Sequence, residues 1–408
     1  MKFLKDKKIL LCITGGIAVY KAVGLASSLR KLDVELKIAM TPAATRLVAP
    51  VTFSSVSGAP VYVDEFSVDG GWIPHTELSR WADALVIAPA TANTIAKIAA
   101  GMANNLVTLS ALAFSKDAKV LVPTMNVRMY GNPVVKENLR KLASLGWTIV
   151  EPAEGALACG EVGKGRYPEN DIIVDAIAAS LLPKKLKGMK VLVTAGPTRE
   201  PIDPVRYISN RSSGKMGYAL ARAACWYGAD VILISGPTNL PDPWGVKTVR
   251  VETAEQMHRA VMEHYGDAHV VLMAAAVADY TVSNPAREKI KKSSDNMVLE
   301  LRKTVDILEE MGRKKNSQIL VGFSAETNEL QKNAFEKLKK KNLDVIVAND
   351  VSRKDVGFES DENEVVILTE DGSHPLDKMP KIDLALAILD FIIDRFGIDR
   401  ARSHDPDS

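Results

Sequence analysis

Cysteine is scarce in this chain: Cys12, Cys159 and Cys225 are the only three. They are too few and too scattered for a disulfide framework or a zinc cluster, which suits a reducing, cytoplasmic setting. A charge of one sign is missing as well. Lys plus Arg number 52 against 50 Asp plus Glu, a net charge of +2, so no whole-chain field draws the protein to nucleic acid or to an anionic membrane. No segment supplies the roughly 18 uninterrupted apolar residues of a membrane span; the best, 85–100, carries Thr91, Asn93, Thr94 and Lys97. Repeats and low-complexity blocks are also absent, which sets solenoids aside. The N-terminus has lysines ahead of an apolar run, as a secretion signal would. That run breaks at Gly15 and Gly16 and resumes with the helical spacing Val19, Val23, Ala26, Leu29, which is a strand, a tight turn and a helix. What remains is a chain of 408 residues, 47% hydrophobic and 25% charged. Such composition predicts two or three domains with full cores, and a soluble enzyme acting on small molecules.

Apolar strand-like runs alternate with amphipathic helical stretches: strands at 8–13, 34–40, 84–88, 119–122 and 148–150, with a helix such as 132–145 between. That alternation predicts a parallel, doubly wound α/β sheet. After a helix at 172–182, residues 183–188 form a short polar stretch with Pro and Gly at its ends, and the domain boundary is set there, giving domains 1–188 and 189–400. The pattern restarts with strands at 190–194, 230–234, 269–274, 319–322 and 345–347, a second doubly wound sheet. A run at 365–368 and the stretch beyond the Asp371-Gly372 turn predict a hairpin appended to it, and the tail from Arg400 is expected to be disordered. In open α/β sheets ligands bind beyond the carboxyl ends of the strands, so each domain is expected to own a site in those loops.

In the first domain the turn Thr14, Gly15, Gly16, Ile17 follows a strand and opens a helix, which suits a phosphate but equally a plain tight turn. Pro89, Ala90, Thr91, Ala92, Asn93 and Thr94 form a second such loop, whose alternative reading is a helix cap. His75 precedes the strand feeding that loop; a lone histidine is more often structural than catalytic. Asn126, after Met125, offers donors and an acceptor to a carboxylate or amide, or is an ordinary turn residue. Cys159 lies in a polar, glycine-rich segment, 158–166, flexible enough to fold over a ligand; that context suits a functional cysteine, and a structural one is the equal alternative. In the second domain the segment SNRSSGKMG at 209–217 offers phosphate donors. It is no Walker A loop, because Ser209 and Met216 stand where that motif needs Gly and Ser or Thr; its alternative reading is a capped helix. Asp279, at the end of a strand, suits a cation or a ribose. The basic run 289–292 and the pair Lys337 and Lys341 read as solvated faces unless a phosphoryl group needs them.

The run 75–83, the loop 89–94, residues 101–106, Met125 with Asn126, and the Cys159 segment together resemble the phosphopantothenoylcysteine decarboxylase flavoproteins. That resemblance implies FMN held around Gly15, Gly16, Ile17, Thr41, Pro89, Ala90, Thr91 and Asn93, with Met125 at the substrate. It further implies His75 acting in decarboxylation, Asn126 holding the departing carboxylate, and Cys159 donating the proton when the enethiol is reduced. Thr124 departs from the family's usual alanine. The second half, through residues 289–292, 303–307, 322–328 (GFSAETN) and 341–350 (KNLDVIVAND), is similar to the phosphopantothenate–cysteine ligases. There the resemblance implies that a nucleoside triphosphate, with CTP expected ahead of the alternative ATP, converts the carboxylate of 4′-phosphopantothenate into an acyl nucleotidylate that L-cysteine attacks. Asn210 would stabilise the intermediate and Lys289 would serve the second half-reaction. Ala274, Ala275, Asp279, Thr304, Val305, Asp306, Ile307, Phe323, Lys337 and Lys341 would line the nucleotide site. Thr304 and Val305 stand where relatives usually have Asn-Pro, a departure that bears on base preference.

Taken over the whole chain, the resemblance is to the bifunctional coenzyme A biosynthesis family, and it implies a homo-oligomer of flavoprotein trimers and ligase dimers. The chemistry is coherent from first principles. Loss of carbon dioxide needs an electron sink, which a flavin can create by oxidising the neighbouring thiol. Amide formation from a free carboxylate is uphill in water, so it needs activation by a nucleotide with Mg2+. The six histidines, His75, His258, His264, His269, His374 and His404, show no paired ligand spacing, so the metal is expected to arrive with the nucleotide, with Asp279 the one candidate ligand. Two rivals remain at this level: a flavin-dependent oxidoreductase of another thiol, and a flavoprotein that binds its cofactor to regulate a partner.

Overall fold

The computed structural model describes every residue except 67–72, 157–159, 292–296, 327–329, 351–359 and 399–408. Cys159, Lys292 and the tail beyond Arg400 therefore lie outside the described residues. The chain divides into two compact units, Met1–Leu182 and Pro183–Ser408. The stretch 183–188, read with the first domain, bonds within the second unit: the Leu186 amide donates to the Tyr227 carbonyl at 2.9 Å, and Lys185 pairs with Asp390 at 2.8 Å.

In the first unit the unbroken apolar run of β1 (Lys8–Ile13) is buried except at its first residue, as a strand covered on both faces requires. It is joined by β2 (Glu35–Met40), β3 (Val61–Tyr62), β4 (Ala84–Ala90), β5 (Lys119–Pro123) and β6 (Trp147–Ile149). All neighbours are parallel, in the order β3-β2-β1-β4-β5-β6. The order reverses between β1 and β4, and the loops that leave those two strands diverge to opposite sides, which opens a crevice at their carboxyl ends. The helices are α1 (Val19–Arg30), α2 (Pro42–Thr45), α3 (Pro50–Ser57), α4 (Pro74–Trp81), α5 (Ala92–Ala99), α6 (Leu106–Ala113), α7 (Val127–Gly131), α8 (Pro133–Ser144) and α9 (Asn170–Leu181). Leu10, Leu85 and Leu121 of the sheet pack with Leu78, Ile95 and Leu142 of the helices in one buried core. A small antiparallel hairpin, β7 (Ala153–Ala156) with β8 (Val162–Arg166), stands apart from the sheet.

The second unit is built on β9 (Lys190–Ala195), β12 (Asp230–Ser235), β13 (Lys247–Arg250), β14 (Val270–Met273), β17 (Ile319–Glu326), β18 (Val345–Asp350), β19 (Glu362–Thr369) and β20 (Gly372–Pro380). Between them lie two short pairs, β10 (Glu200–Pro201) with β11 (Tyr207–Ile208), and β15 (Tyr280–Val282) with β16 (Leu301–Lys303). The large sheet runs β13-β12-β9-β14-β17-β18-β19-β20, parallel up to β18 and antiparallel beyond it. The expected hairpin is therefore β19–β20, added at one edge. Its helices are α10 (Lys215–Trp226), α11 (Ala254–Tyr265), α12 (Ile307–Lys314), α13 (Leu330–Lys340) and α14 (Lys381–Phe396). Leu192, Val271 and Leu320 of the sheet meet Met257, Val261 and Met311 in its core. Here too the order reverses beside the first strand, β9, so the loops after β9 and β14 bound a cleft.

Candidate functional site

In the first unit two loops are stitched together before any ligand is considered. The Thr14 hydroxyl donates to the Pro89 carbonyl at 2.7 Å and accepts from the Thr91 amide at 3.0 Å, so one buried side chain joins the turn after β1 to the turn after β4. Gly15 sits so close to α2 that a Cβ would fall 2.5 Å from the Ala43 methyl. Over these turns lies a cavity of about 720 Å³. Gly15, Gly16, Ile17, Thr91, Asn93, Met125 and Asn126 all line it. Thr41, Pro89 and Ala90, also expected at the cofactor, do not line it: Thr41 caps α2 by accepting from the Ala44 amide at 3.3 Å, and Ala90 is fully buried in β4.

The far wall is the β7–β8 hairpin. Met125 N donates to the Gly165 carbonyl at 3.1 Å, and a Cβ on Gly165 would fall 2.2 Å from the Met125 carbonyl oxygen. Only glycine lets the hairpin approach this closely. Asn126 caps α7 by accepting from the Arg128 amide at 2.8 Å, and its Nδ2 donates to Glu161 at 2.6 Å. Glu161 is also paired with Arg128 at 2.7 Å. The carboxamide is thus fixed at both ends. Tyr167 lines the same cavity, and its buried hydroxyl has no hydrogen-bond partner among the described residues; burial pushes its pKa up. His75 stands on α4, away from this cavity in its own chain, and its buried Nδ1 also lacks a partner among the described residues.

In the second unit two adjoining cavities, of about 440 and 350 Å³, share Ala275, Val277, Asp279 and Phe323 and form one cleft beyond β14. Thr304, Val305, Asp306, Ile307 and Lys341 line the first, and Ala274 the second. Hydrogen bonds explain why these segments converge. Thr198 Oγ1 accepts from the Ala278 amide at 3.0 Å, and Thr304 Oγ1 donates to the Ala278 carbonyl at 2.6 Å. Asp306 caps α12 and pairs with Lys341 at 2.8 Å. Burial alone would raise its pKa, but the Lys341 ammonium and the Glu309 amide hold the carboxyl below its ordinary range. Lys337 reaches the cleft through Ser324, donating to its hydroxyl at 3.1 Å. Asn210 spans from its loop to β14's exit, with Nδ2 donating to the Ala276 carbonyl at 2.5 Å and Oδ1 accepting from the Ser212 amide at 3.0 Å.

Lys289 is exposed and lines neither cavity. Its neighbour Ile290 donates its backbone N–H to the Asp203 carboxylate at 3.1 Å and accepts from the Arg206 guanidinium through its carbonyl at 2.7 Å. Asp203, buried, accepts from the Val205, Arg206 and Ile290 amides and from the Arg206 guanidinium. Despite the opposing effect of burial, these bonds hold its carboxyl far below the usual range. Sequence reasoning passed over Tyr167, Asp203 and Lys381, and it named Thr14 and the segment holding Glu161 without the bonds that those two side chains make. Thr14, Glu161, Asp203 and Lys381 matter through partners far away in the chain, and Tyr167 through the cavity it lines.

Residues 2–182 match the family model described as flavoprotein, and residues 186–396 match the one described as DNA/pantothenate metabolism flavoprotein C-terminal domain. The coenzyme A biosynthesis bifunctional protein CoaBC of Bacillus subtilis (strain 168) is 46% identical over 95% of this chain and 96% of its own length. The chain belongs to the CoaBC family. Another CoaBC relative, from Vibrio cholerae serotype O1, is 44% identical over 96% of this chain and 99% of its own. Among solved structures, the C-terminal domain of a coenzyme A biosynthesis bifunctional protein CoaBC is 43% identical over 52% of this chain and 98% of its own, with a TM-score of 0.46. As a CoaBC protein the chain is a bifunctional enzyme, a decarboxylase in its flavoprotein half and a ligase in its C-terminal half. Among the described residues, no helix is long and apolar enough to cross a membrane.

Proposed function

We propose that the second unit uses CTP to join 4′-phosphopantothenate to L-cysteine, and that the first unit, with FMN, decarboxylates the product to 4′-phosphopantetheine. One observation carries this reading. Each unit opens a cleft beyond the carboxyl ends of its central strands, and most of the residues to which the family resemblance gives roles line those two clefts, His75 and Lys289 being exceptions.

The first cleft suits FMN. The turn at Gly15 and Gly16, Thr91 and Asn93 meet there with Ile17 and Met129, so both polar groups and apolar surface are present. The buried hydroxyl of Tyr167 also awaits an acceptor or donor that a ligand would supply. FMN held there would take two electrons from the substrate thiol, which makes loss of carbon dioxide easy, and would return them to the resulting enethiol, so that the overall decarboxylation is redox-neutral. Asn126 orients the departing carboxylate, and Cys159 returns a proton. His75 stands away from the cavity of its own chain, and we read it as serving that of a neighbouring subunit. Exposed apolar side chains on the same unit, among them Val51, Phe66, Ile73 and Leu112, support a homo-oligomer.

In the second cleft, Asn210 would hold the acyl nucleotidylate and Lys289 would act when cysteine displaces the nucleotide. Among the described residues no group of three acidic, histidine or cysteine side chains is placed to cage a metal. We therefore read Mg2+ as an ion that enters with the nucleotide, keeps mostly water and phosphate ligands, and has Asp279 as its candidate protein ligand. The test is pyrophosphate release by the purified chain with 4′-phosphopantothenate and L-cysteine, comparing CTP with ATP. Pyrophosphate from CTP well ahead of ATP supports the reading; ATP ahead of CTP overturns the nucleotide assignment, and release from neither overturns the ligase assignment.

A further inference from the structure

Lys381 opens α14 yet is only 6% exposed, and a buried ammonium must have acceptors. Its Nζ donates to the Ser360 carbonyl at 2.6 Å, and its backbone amide donates to the Asp361 carbonyl at 2.9 Å. The Asp361 carboxylate takes Lys215 Nζ at 2.6 Å, although the Asp361 side chain is 89% exposed. An ion pair to so exposed a carboxylate has little worth when its backbone is free to move. Here the backbone is held by two bonds from one residue. Lys215 and Lys381 both line the 350 Å³ cavity of the ligase cleft, with Ser212, Ser213 and Asn363 beside them. Two ammonium groups against one solvent-facing carboxylate leave that end of the cleft positive, which suits phosphate oxygens.

We propose that Lys381 is a positioning residue of the ligase cleft: it pins the Ser360–Asp361 corner and, through Asp361, seats Lys215 where a phosphate-bearing substrate enters. The proposal rests on the ligase reading of the second unit. Burial is the main effect on Lys381. The charge of Lys215 on α10 adds to it and Asp361 ahead of β19 opposes it, so the pKa falls to about 8. Below that pH the ammonium is intact and the corner is pinned; above it the charge is lost and the hold on Ser360 weakens.

The test uses the full chain as wild type, K381M, K381R and K215M. Affinity for inorganic tripolyphosphate is measured calorimetrically at about pH 7 and about pH 9, either side of the Lys381 transition. At the lower pH, K381M and K215M are each expected to bind about tenfold more weakly, as for one lost charge-assisted hydrogen bond. Wild type weakens on going to the higher pH, K381M shows no such change, and K381R keeps its affinity. Steady-state KM values then separate the two phosphate sources: a rise for the nucleotide alone places its phosphates at Lys215, and a rise for 4′-phosphopantothenate alone places the substrate phosphate there. Unaltered tripolyphosphate affinity in K381M, or a fall in its kcat and Tm with affinity intact, would reduce Lys381 to a structural residue and overturn the proposal. Binding as expected without consumption of any nucleotide would sink the ligase reading and leave the role of Lys381 standing.

Discussion

At the scale of single residues, each cleft is set by a side-chain amide that is bonded at both ends. Asn210 donates to Ala276 and accepts from Ser212, so its change to Asp replaces a donor by an anion facing a carbonyl oxygen. Ligation by N210D is expected to fall about a hundredfold, in the range seen when one donor to a developing charge is lost. Decarboxylation of supplied 4′-phosphopantothenoylcysteine should persist, and loss of both activities would point to a misfolded chain. Asp306 gives a pH prediction. Its carboxyl is held below its ordinary value by Lys341, so the pair adds stability above the unfolded carboxylate pKa and loses it as pH falls through the lower, folded value. K341M removes the partner, and the drop in Tm between about pH 5 and pH 3 should be shallower than in wild type. An equal drop in both would contradict the pairing. Motif residues such as Gly15, Asn126 and Asp279 were legible in the sequence because they sit in the loops that follow strands, whereas Phe323, inside β17, was reached only through the family resemblance. The roles of Asp203 and Lys381, and the bonds made by Thr14 and Glu161, were not, since the meaning of each lies in a partner tens of residues away.

Among elements, the buried central strands were plain: an apolar run with no alternation has to be covered on both faces, and β1, β5, β9 and β12 follow their runs closely. Short or half-exposed strands gave no such signal. The β7–β8 hairpin reads as flexible glycine-rich chain, yet those glycines serve contact: Gly165 lies against the Met125 carbonyl. G165A should cost about 1–3 kcal/mol of overpacking, relieved by the hairpin moving off the cavity. The expected result is a chain that loses its yellow colour on gel filtration while its second unit still releases pyrophosphate. Retained flavin with unchanged stability would show that the close approach is dispensable. Strands β17 and β18 run past their apolar cores to Glu326 and Asp350, because parallel pairing continues after the hydrophobic signal has ended.

Across the whole molecule, a stretch of lysines between Pro and Gly marked the division of the chain, though the lysines themselves bond into the second unit. The position of His75 makes a prediction that belongs to the assembly. If the histidine serves a neighbouring subunit, H75N and N126D chains, each inactive in decarboxylation, should recover part of that activity when mixed under conditions that exchange subunits; no recovery would keep each site within one chain. The central claim is that one chain carries two consecutive reactions in two clefts. It is tested most directly by following pyrophosphate and carbon dioxide together from 4′-phosphopantothenate, L-cysteine, CTP and Mg2+ with the wild-type, flavin-loaded chain. The account predicts that both products appear in equal amounts, carbon dioxide lagging pyrophosphate, with neither formed when cysteine is omitted beyond a single turnover of pyrophosphate. Pyrophosphate without carbon dioxide from the yellow protein, or carbon dioxide that does not depend on the nucleotide, would contradict it.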